Sequence, residues 1–209
     1  MSTATRGLLI AIEGIDGSGK STLARNLHEA LSAKGHKTIL TKEPGDTPLG
    51  KQLRTILQTQ ESPVCSKAEF LLFAADRAQH FEELIIPKLK SGHIIISDRM
   101  ADSSVVYQGY GRGLKIDTIK NINSWAMNAI EPDITIYVRI DAQTSKIRIE
   151  KRGAKLTAFE KERDEFLHKL ITGFDEIFKN KKNSVIIDGS KTPEELTKNA
   201  IAIIESHIP

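Results

Sequence analysis

Cysteine occurs once in the 209 residues, at Cys65, so no intrachain disulfide can staple the chain and nothing points to an oxidising compartment. Cys65 is expected to be a structural thiol ahead of a helical stretch. No apolar run approaches the roughly 18 residues of a membrane span. The first one, at residues 8–12, is stopped by Glu13 and is too short for the core of a secretory leader, so residence in the cytoplasm, with no membrane partner, is expected. Internal repeats, low-complexity tracts and linker-like stretches are missing too, which leaves one domain over 1–209. Charge of one sign is also lacking: 30 Lys and Arg face 27 Asp and Glu. Without a concentrated basic face, no nucleic-acid partner is expected.

What is present is a chain long enough to bury a substantial core. Short β-rich apolar runs alternate with longer stretches of helical period, the pattern of a parallel sheet with crossover helices. Strands are predicted at 8–12, 38–41, 93–97, 134–140 and 184–187. They imply a three-layer α/β fold, a five-stranded parallel sheet with helices on both faces. Gly35 stops the first helix, and Thr192-Pro193-Glu194-Glu195 opens the last with a capping box and an early proline. Leu196, Ala200, Ile203 and Ile204 then share one face.

The first strand runs into Gly14, Ile15, Asp16, Gly17, Ser18, Gly19, Lys20, Ser21 and Thr22, and a helix follows. This G-x4-G-K-S pattern between strand and helix is a P-loop. Its backbone N–H groups can converge on a triphosphate, Lys20 can reach the terminal phosphates, and the Ser21 hydroxyl can hold Mg²⁺. A nucleoside triphosphate and Mg²⁺ are therefore expected there.

In an open α/β sheet, ligands bind beyond the carboxyl ends of the strands. Glu43-Pro44-Gly45 follows the second strand there and Ser97-Asp98-Arg99 the third, while a basic cluster of Arg148, Lys151, Arg152 and Lys155 follows the fourth. Asp98 can be the second acidic group near the metal, with Arg99 facing the phosphates. A buried structural ion pair is the competing reading of that dipeptide.

With these segments the chain resembles the thymidylate kinase family, in its bacterial type, nearly end to end. The resemblance is carried by residues 14–22, by Glu43-Pro44-Gly45-Asp46-Thr47-Pro48-Leu49, and by Leu71-Leu72-Phe73-Ala74-Ala75-Asp76-Arg77. Asp98-Arg99 and Ser103-Ser104 followed by Tyr107-Gln108-Gly109 complete it. It implies transfer of a phosphoryl group from ATP to dTMP, on the way to dTTP, by a homodimer to which the helix at 70–86 contributes.

The resemblance also implies residue roles. Phe73 would stack on thymine and Arg77, four residues on and on the same helix face, would donate to a base oxygen. On periodicity alone, Phe73 reads as one more core residue. Tyr107 would lie where a 2′-hydroxyl projects, Ser104 at the base edge, and Glu43, Ser103 and Gln108 around the acceptor. Asp16 would bind the sugar 3′-hydroxyl and organise water around the metal, which Ser21 and Asp98 hold. Lys20, Arg99 and Arg152 would supply catalytic charge, with Arg148 and the P-loop on the nucleotide. The segment 148–162 would be a lid over ATP, and Gly17 in the loop with arginines in the lid marks the bacterial type.

The chain departs from the family pattern at Thr157-Ala158, where an Asp-Arg pair is common, at Met100 and at Val105. Other P-loop nucleotide kinases and a nucleotide-dependent switch protein are the alternatives. Against the switch, the guanine-reading Asn-Lys-x-Asp is absent, since Asn180-Lys181-Lys182 continues to Asn183.

Overall fold

A computed structural model describes residues 6–59, 64–162 and 164–208. Five parallel strands form one sheet, β1 (Leu9–Glu13), β2 (Thr38–Lys42), β3 (Ile94–Asp98), β4 (Ile134–Arg139) and β5 (Ser184–Asp188), in the order β2-β3-β1-β4-β5. The three-layer α/β architecture expected from the sequence is present. All five residues of β1 are buried, as befits the central strand, whereas the edge strands β2 and β5 are each half covered.

Side chains of β1 alternate between the two layers. Ile10 and Ile12 pack with Leu23, Leu27 and Leu31 of α1 (Lys20–Ala33) and with Leu196, Ala200 and Ile204 of α9 (Pro193–Glu205). Leu9 and Ala11 face Phe81, Ile85 and Leu89 on the other side. Those three lie beyond α3 (Ser66–His80), which continues through a π-helical turn, Phe81–Ile85, into α4 (Ile86–Lys90). The α9 capping box forms as read, with Thr192 and Glu195 each bonding the other's backbone N–H.

The strands end one residue away from their predicted limits. Glu13, Lys42, Asp98 and Asp188 close their strands, with Lys42 beside Asp98 and Arg139 beside Asp188 in the register. Hydrophobic pattern cannot see these polar ends, yet they are where the sheet meets solvent and ligand. Cys65 is exposed at the N-cap of α3 and makes no cap bond, so it does not pack as a structural thiol.

The elements around the carboxyl edge follow in chain order. They are α2 (Pro48–Thr59), α5 (Ala101–Ser104) running into π-helical Val105–Gly111, α6 (Ile116–Ala126), α7 (Ala142–Arg152), a 3₁₀ turn Phe159–Lys161 and α8 (Asp164–Phe178). Tyr107 meets Phe166 and Phe174 edge-on, while Tyr137 stacks on Phe174 and Phe178, which roots the 105–111 segment against α8.

Candidate active site

The switch in strand order around β1 opens a crevice at the carboxyl edge, and one cavity of ≈ 840 Å³ fills it. It runs from Lys20 and Ser21 at one end to Phe73, Arg77 and Tyr107 at the other. That volume suits a site for ligands of nucleotide size.

At the P-loop end, Gly14 and Gly17 have φ of 145° and 77°. A Cβ on Gly17 would also come within 2.8 Å of the Ser145 carbonyl oxygen, so the start of α7 leaves no room for a side chain in the loop. Ser145 reinforces this contact by donating through Oγ to the Asp16 carbonyl at 2.7 Å. Lys20 folds over the loop and donates to the Ile15 carbonyl at 2.6 Å. Burial, with help from Arg99, lowers its pKa to about 8 against the pull of Asp16, Asp98 and Glu13.

Ser21 Oγ donates to Asp98 Oδ2 at 2.5 Å. A hydroxyl beside a carboxylate is an oxygen donor pair that fits Mg²⁺, which takes few protein ligands and completes its shell with phosphate and water. Among the described residues no group of three or more His, Cys, Asp or Glu could form an all-protein cage, in keeping with that mode.

Arg99 sits in the left-handed region at φ 73° and gathers the centre of the site. Its Nη1 donates to the Gly14 carbonyl and Ser103 Oγ, and its Nη2 to Asp16 Oδ1 at 2.5 Å and the Tyr107 hydroxyl at 3.1 Å. Tyr107 in turn donates to Asp16 Oδ2 at 3.2 Å. Burial would raise the Asp16 pKa, but Arg99 and Lys20 outweigh it and hold the carboxylate ionised. Beneath lies Glu13, which the sequence reading did not single out. It accepts from Ser103 Oγ and the Met100 amide, and burial and Asp102 push its pKa to about 7.

At the other end Arg77 is buried and almost fully committed. Nε donates to Glu43 Oε2 at 2.8 Å, Nη1 to Asn123 Oδ1 at 2.7 Å, and Nη2 to the Met100 carbonyl and Ser104 Oγ, each at 3.2 Å. Behind Glu43 a polar chain continues: His80 Nδ1 lies 3.1 Å from Glu43 Oε1, His80 Nε2 is 2.7 Å from Thr41 Oγ1, and Thr41 donates to Asp46. Phe73 is half-buried on the cavity wall. Gln108 also lines the cavity while donating to Glu69. Asn123 and His80 carry no local signal; an Asn inside a helix and a His on an apolar face read as ordinary residues.

In the basic segment the arginines divide. Arg148 Nη1 donates to the Gly189 carbonyl at 2.8 Å and reaches the Gly17 and Ser18 carbonyls at 3.4 Å, so it braces the loop's backbone. Arg152 faces the cavity and pairs with Glu160 at 2.9 Å. Lys151 and Lys155 are exposed and do not line it. Chemically, the arrangement offers an anion cradle, the cations of Lys20, Arg99 and Arg152, and an oxygen pair for a divalent ion at one end. At the other end an aromatic face stands beside a desolvated guanidinium.

A family model described as thymidylate kinase matches residues 12–201. The thymidylate kinase of Halothermothrix orenii is 50% identical over 138 residues, which covers 66% of this chain and 67% of that protein. That of Thermosipho africanus is 38% identical over 201 residues, 96% and 99% of the two. Among solved structures, the crystal structure of thymidylate kinase from Ehrlichia chaffeensis superposes with a TM-score of 0.76 at 31% identity, covering 95% of this chain and 99% of that one.

Proposed function

The chain belongs to the thymidylate kinase family and phosphorylates dTMP with ATP as donor, and we propose that the two ends of its crevice divide that work. The P-loop end takes ATP and the Phe73–Arg77–Tyr107 end takes dTMP. The observation that carries this assignment is that Lys20 and Ser21 of the loop, Arg99, and the Phe73–Arg77–Tyr107 wall line one cavity.

The acceptor phosphate has a second pKa near 6, so at neutral pH it is mostly a dianion and already nucleophilic. No general base is required. The barrier lies in bringing two polyanions into line while charge spreads over the transferred group, so catalysis rests on positioning and cationic stabilisation. Ser21 and Asp98 would hold Mg²⁺, which when bound neutralises phosphate charge. Arg99, bonded to the Gly14 carbonyl of the loop and to Asp16 and Tyr107, touches both ends and turns to the acceptor phosphate, while Asp16 is released to the sugar 3′-hydroxyl. Tyr107 excludes a 2′-hydroxyl by occupying its space. Phe73 stacks on the base, with Arg77, Ser104, Glu43, Ser103 and Gln108 shaping the pocket around it.

We take 148–162 as a lid of the single domain, closing to bring Arg152 onto the phosphates and exclude water. Arg148 serves by fixing the loop that cradles them. The homodimer that the family resemblance implies would use the helix at 70–86, and exposed Leu71, at 54%, supports that reading. The cytoplasm is the compartment this reading expects; no helix among the described residues is long and apolar enough to cross a membrane.

A coupled ATP-to-ADP assay with Mg²⁺, run with dTMP, dUMP, UMP, thymidine or no acceptor and with products identified by mass, tests the reading. Formation of dTDP with strong preference for dTMP is expected. Preference for thymidine or UMP would overturn the acceptor pocket and leave the P-loop assignment standing.

A further inference from the structure

The turn at 157–160 touches both ends of the crevice. Phe159 brings its ring centroid to 6.0 Å from Phe73 and 5.7 Å from Tyr107, meeting the tyrosine edge-on. Arg112 reaches over the same ring at 5.8 Å while it bonds Glu69 on α3 and Glu162, so the turn is tied to the helix that carries Phe73. The next residue, Glu160, has its side chain only 2% exposed, and its Oε2 accepts from Arg152 Nη2 at 2.9 Å and from the Thr157 amide at 2.8 Å. Thr157 Oγ1 accepts back from the Glu160 amide at 3.3 Å, closing the turn on itself. Phe159 and Glu160 therefore move as one piece, one side chain against the aromatic wall and the other on the arginine of the lid.

We propose that this turn couples the acceptor to the phosphate arginine: Phe159 completes the wall of the acceptor pocket, and Glu160 carries that seating to Arg152. The inference rests on the assignment of Phe73 and Tyr107 to dTMP and of Arg152 to ATP. A base stacked on Phe73 closes the space Phe159 borders and fixes the turn, and the turn then fixes where the Arg152 guanidinium is held. Phe159 and Glu160 are positioning residues, distinct from the side chains that meet the reacting phosphates. By linkage the effect runs both ways, so each ligand tightens the other by the same factor.

The test is calorimetric titration of a non-hydrolysable ATP analogue, with Mg²⁺, into the protein with and without saturating dTMP. For the unmodified chain, dTMP is expected to tighten the analogue by about fivefold or more, the low end of typical coupling between sites. Phe159→Ala should bring that factor close to one and weaken dTMP itself, while Phe159→Leu, which keeps apolar volume, restores most of both. Glu160→Gln should lose the coupling yet bind dTMP alone as the unmodified chain does, a split that loss of packing would not produce. A coupling factor unchanged in Phe159→Ala or in Glu160→Gln would overturn the proposal. Failure of the unmodified chain to bind dTMP at all would remove the acceptor assignment instead, and this inference with it.

Discussion

Arg77 and Arg99 line one cavity, each bonded on several sides, yet they are held in opposite ways. Arg77 is 1% exposed, and its partners Glu43 and Asn123 are buried scaffold, with Glu43 itself propped by His80 and Thr41. Arg99 has a side chain 17% exposed, and it rests on Asp16, 32% exposed, and Tyr107, both groups that the reading assigns to substrate. The acceptor end is thus built before any ligand arrives, its charges desolvated and matched. The phosphate end keeps its charges on partners that can be exchanged. Recognition needs a fixed shape, whereas transfer needs cations free to follow charge as it moves.

This contrast predicts that substitutions at the two arginine sites fail differently. Glu43→Ala strands the buried Arg77 guanidinium and should cost about 3–5 kcal/mol of stability. For a chain of this size that lowers Tm by roughly 10 °C, readable by thermal denaturation. Arg99→Ala should cost far less stability, because a partly exposed pair contributes about 0–1 kcal/mol. Its kcat should instead fall roughly 10²–10³-fold, the scale of one lost transition-state contact. If Arg99→Ala melts as early as Glu43→Ala, or if Glu43→Ala keeps its Tm, the two ends are not built differently.

The same contrast explains what could be read in the sequence. The sheet, its order of elements and the P-loop were legible because apolar runs and glycine spacing are local signals. Phe73 was not legible as a ligand-facing ring from periodicity, which makes it one more residue of an apolar helix face. The scaffold behind Arg77 was missed: Asn123, His80 and Thr41 lie on three separate elements, and only the fold brings Asn123 to the guanidinium and lines His80 and Thr41 up behind its partner Glu43. The basic cluster was visible as charge, but composition could not separate Arg152 and Arg148, which both line the cavity, one paired with Glu160 and the other bracing backbone carbonyls, from exposed Lys155. Glu160 and Phe159 escaped for the same reason, since a Phe-Glu pair in a short turn has no period to betray it.

Arg152 sharpens the comparison further along the phosphate end, since its side chain is 45% exposed and its one carboxylate partner lies on the same segment. Arg152→Ala should leave Tm within a few degrees and lower kcat at least about tenfold, the scale of one charge-assisted contact. An unchanged kcat would take Arg152 out of the phosphate site. Because the hydrogen bonds Arg148 makes among the described residues go to backbone carbonyls, Arg148→Ala should act differently, loosening the loop and raising the KM for ATP more than it lowers kcat.

The acceptor end is not perfectly matched, and its one loose atom gives the smallest effect. Asp76 is 1% exposed; Oδ1 accepts from the Gly45 amide at 3.0 Å, but Oδ2 has no hydrogen-bond partner among the described residues. Burial, then the nearby Glu43 carboxylate, raises its pKa from 3.8 to about 6, against the Gly45 amide, His80 and Arg77. A carboxyl group with a raised folded pKa stabilises the fold while it stays protonated, and that contribution is lost as pH rises through the folded value. Between pH 5 and 8 the unfolded chain is already ionised at this position while the folded one becomes so, a difference on the order of 1 kcal/mol. Asp76→Asn keeps the acceptor for Gly45 and cannot ionise, so its stability relative to the unmodified chain should improve by that amount from pH 5 to pH 8, most steeply between pH 5 and 6 and levelling off above the folded value. Urea denaturation of both proteins across that range measures it. A difference that stays flat with pH would mean that Asp76 is ionised throughout, and that the acceptor end tolerates an unpaired buried charge after all.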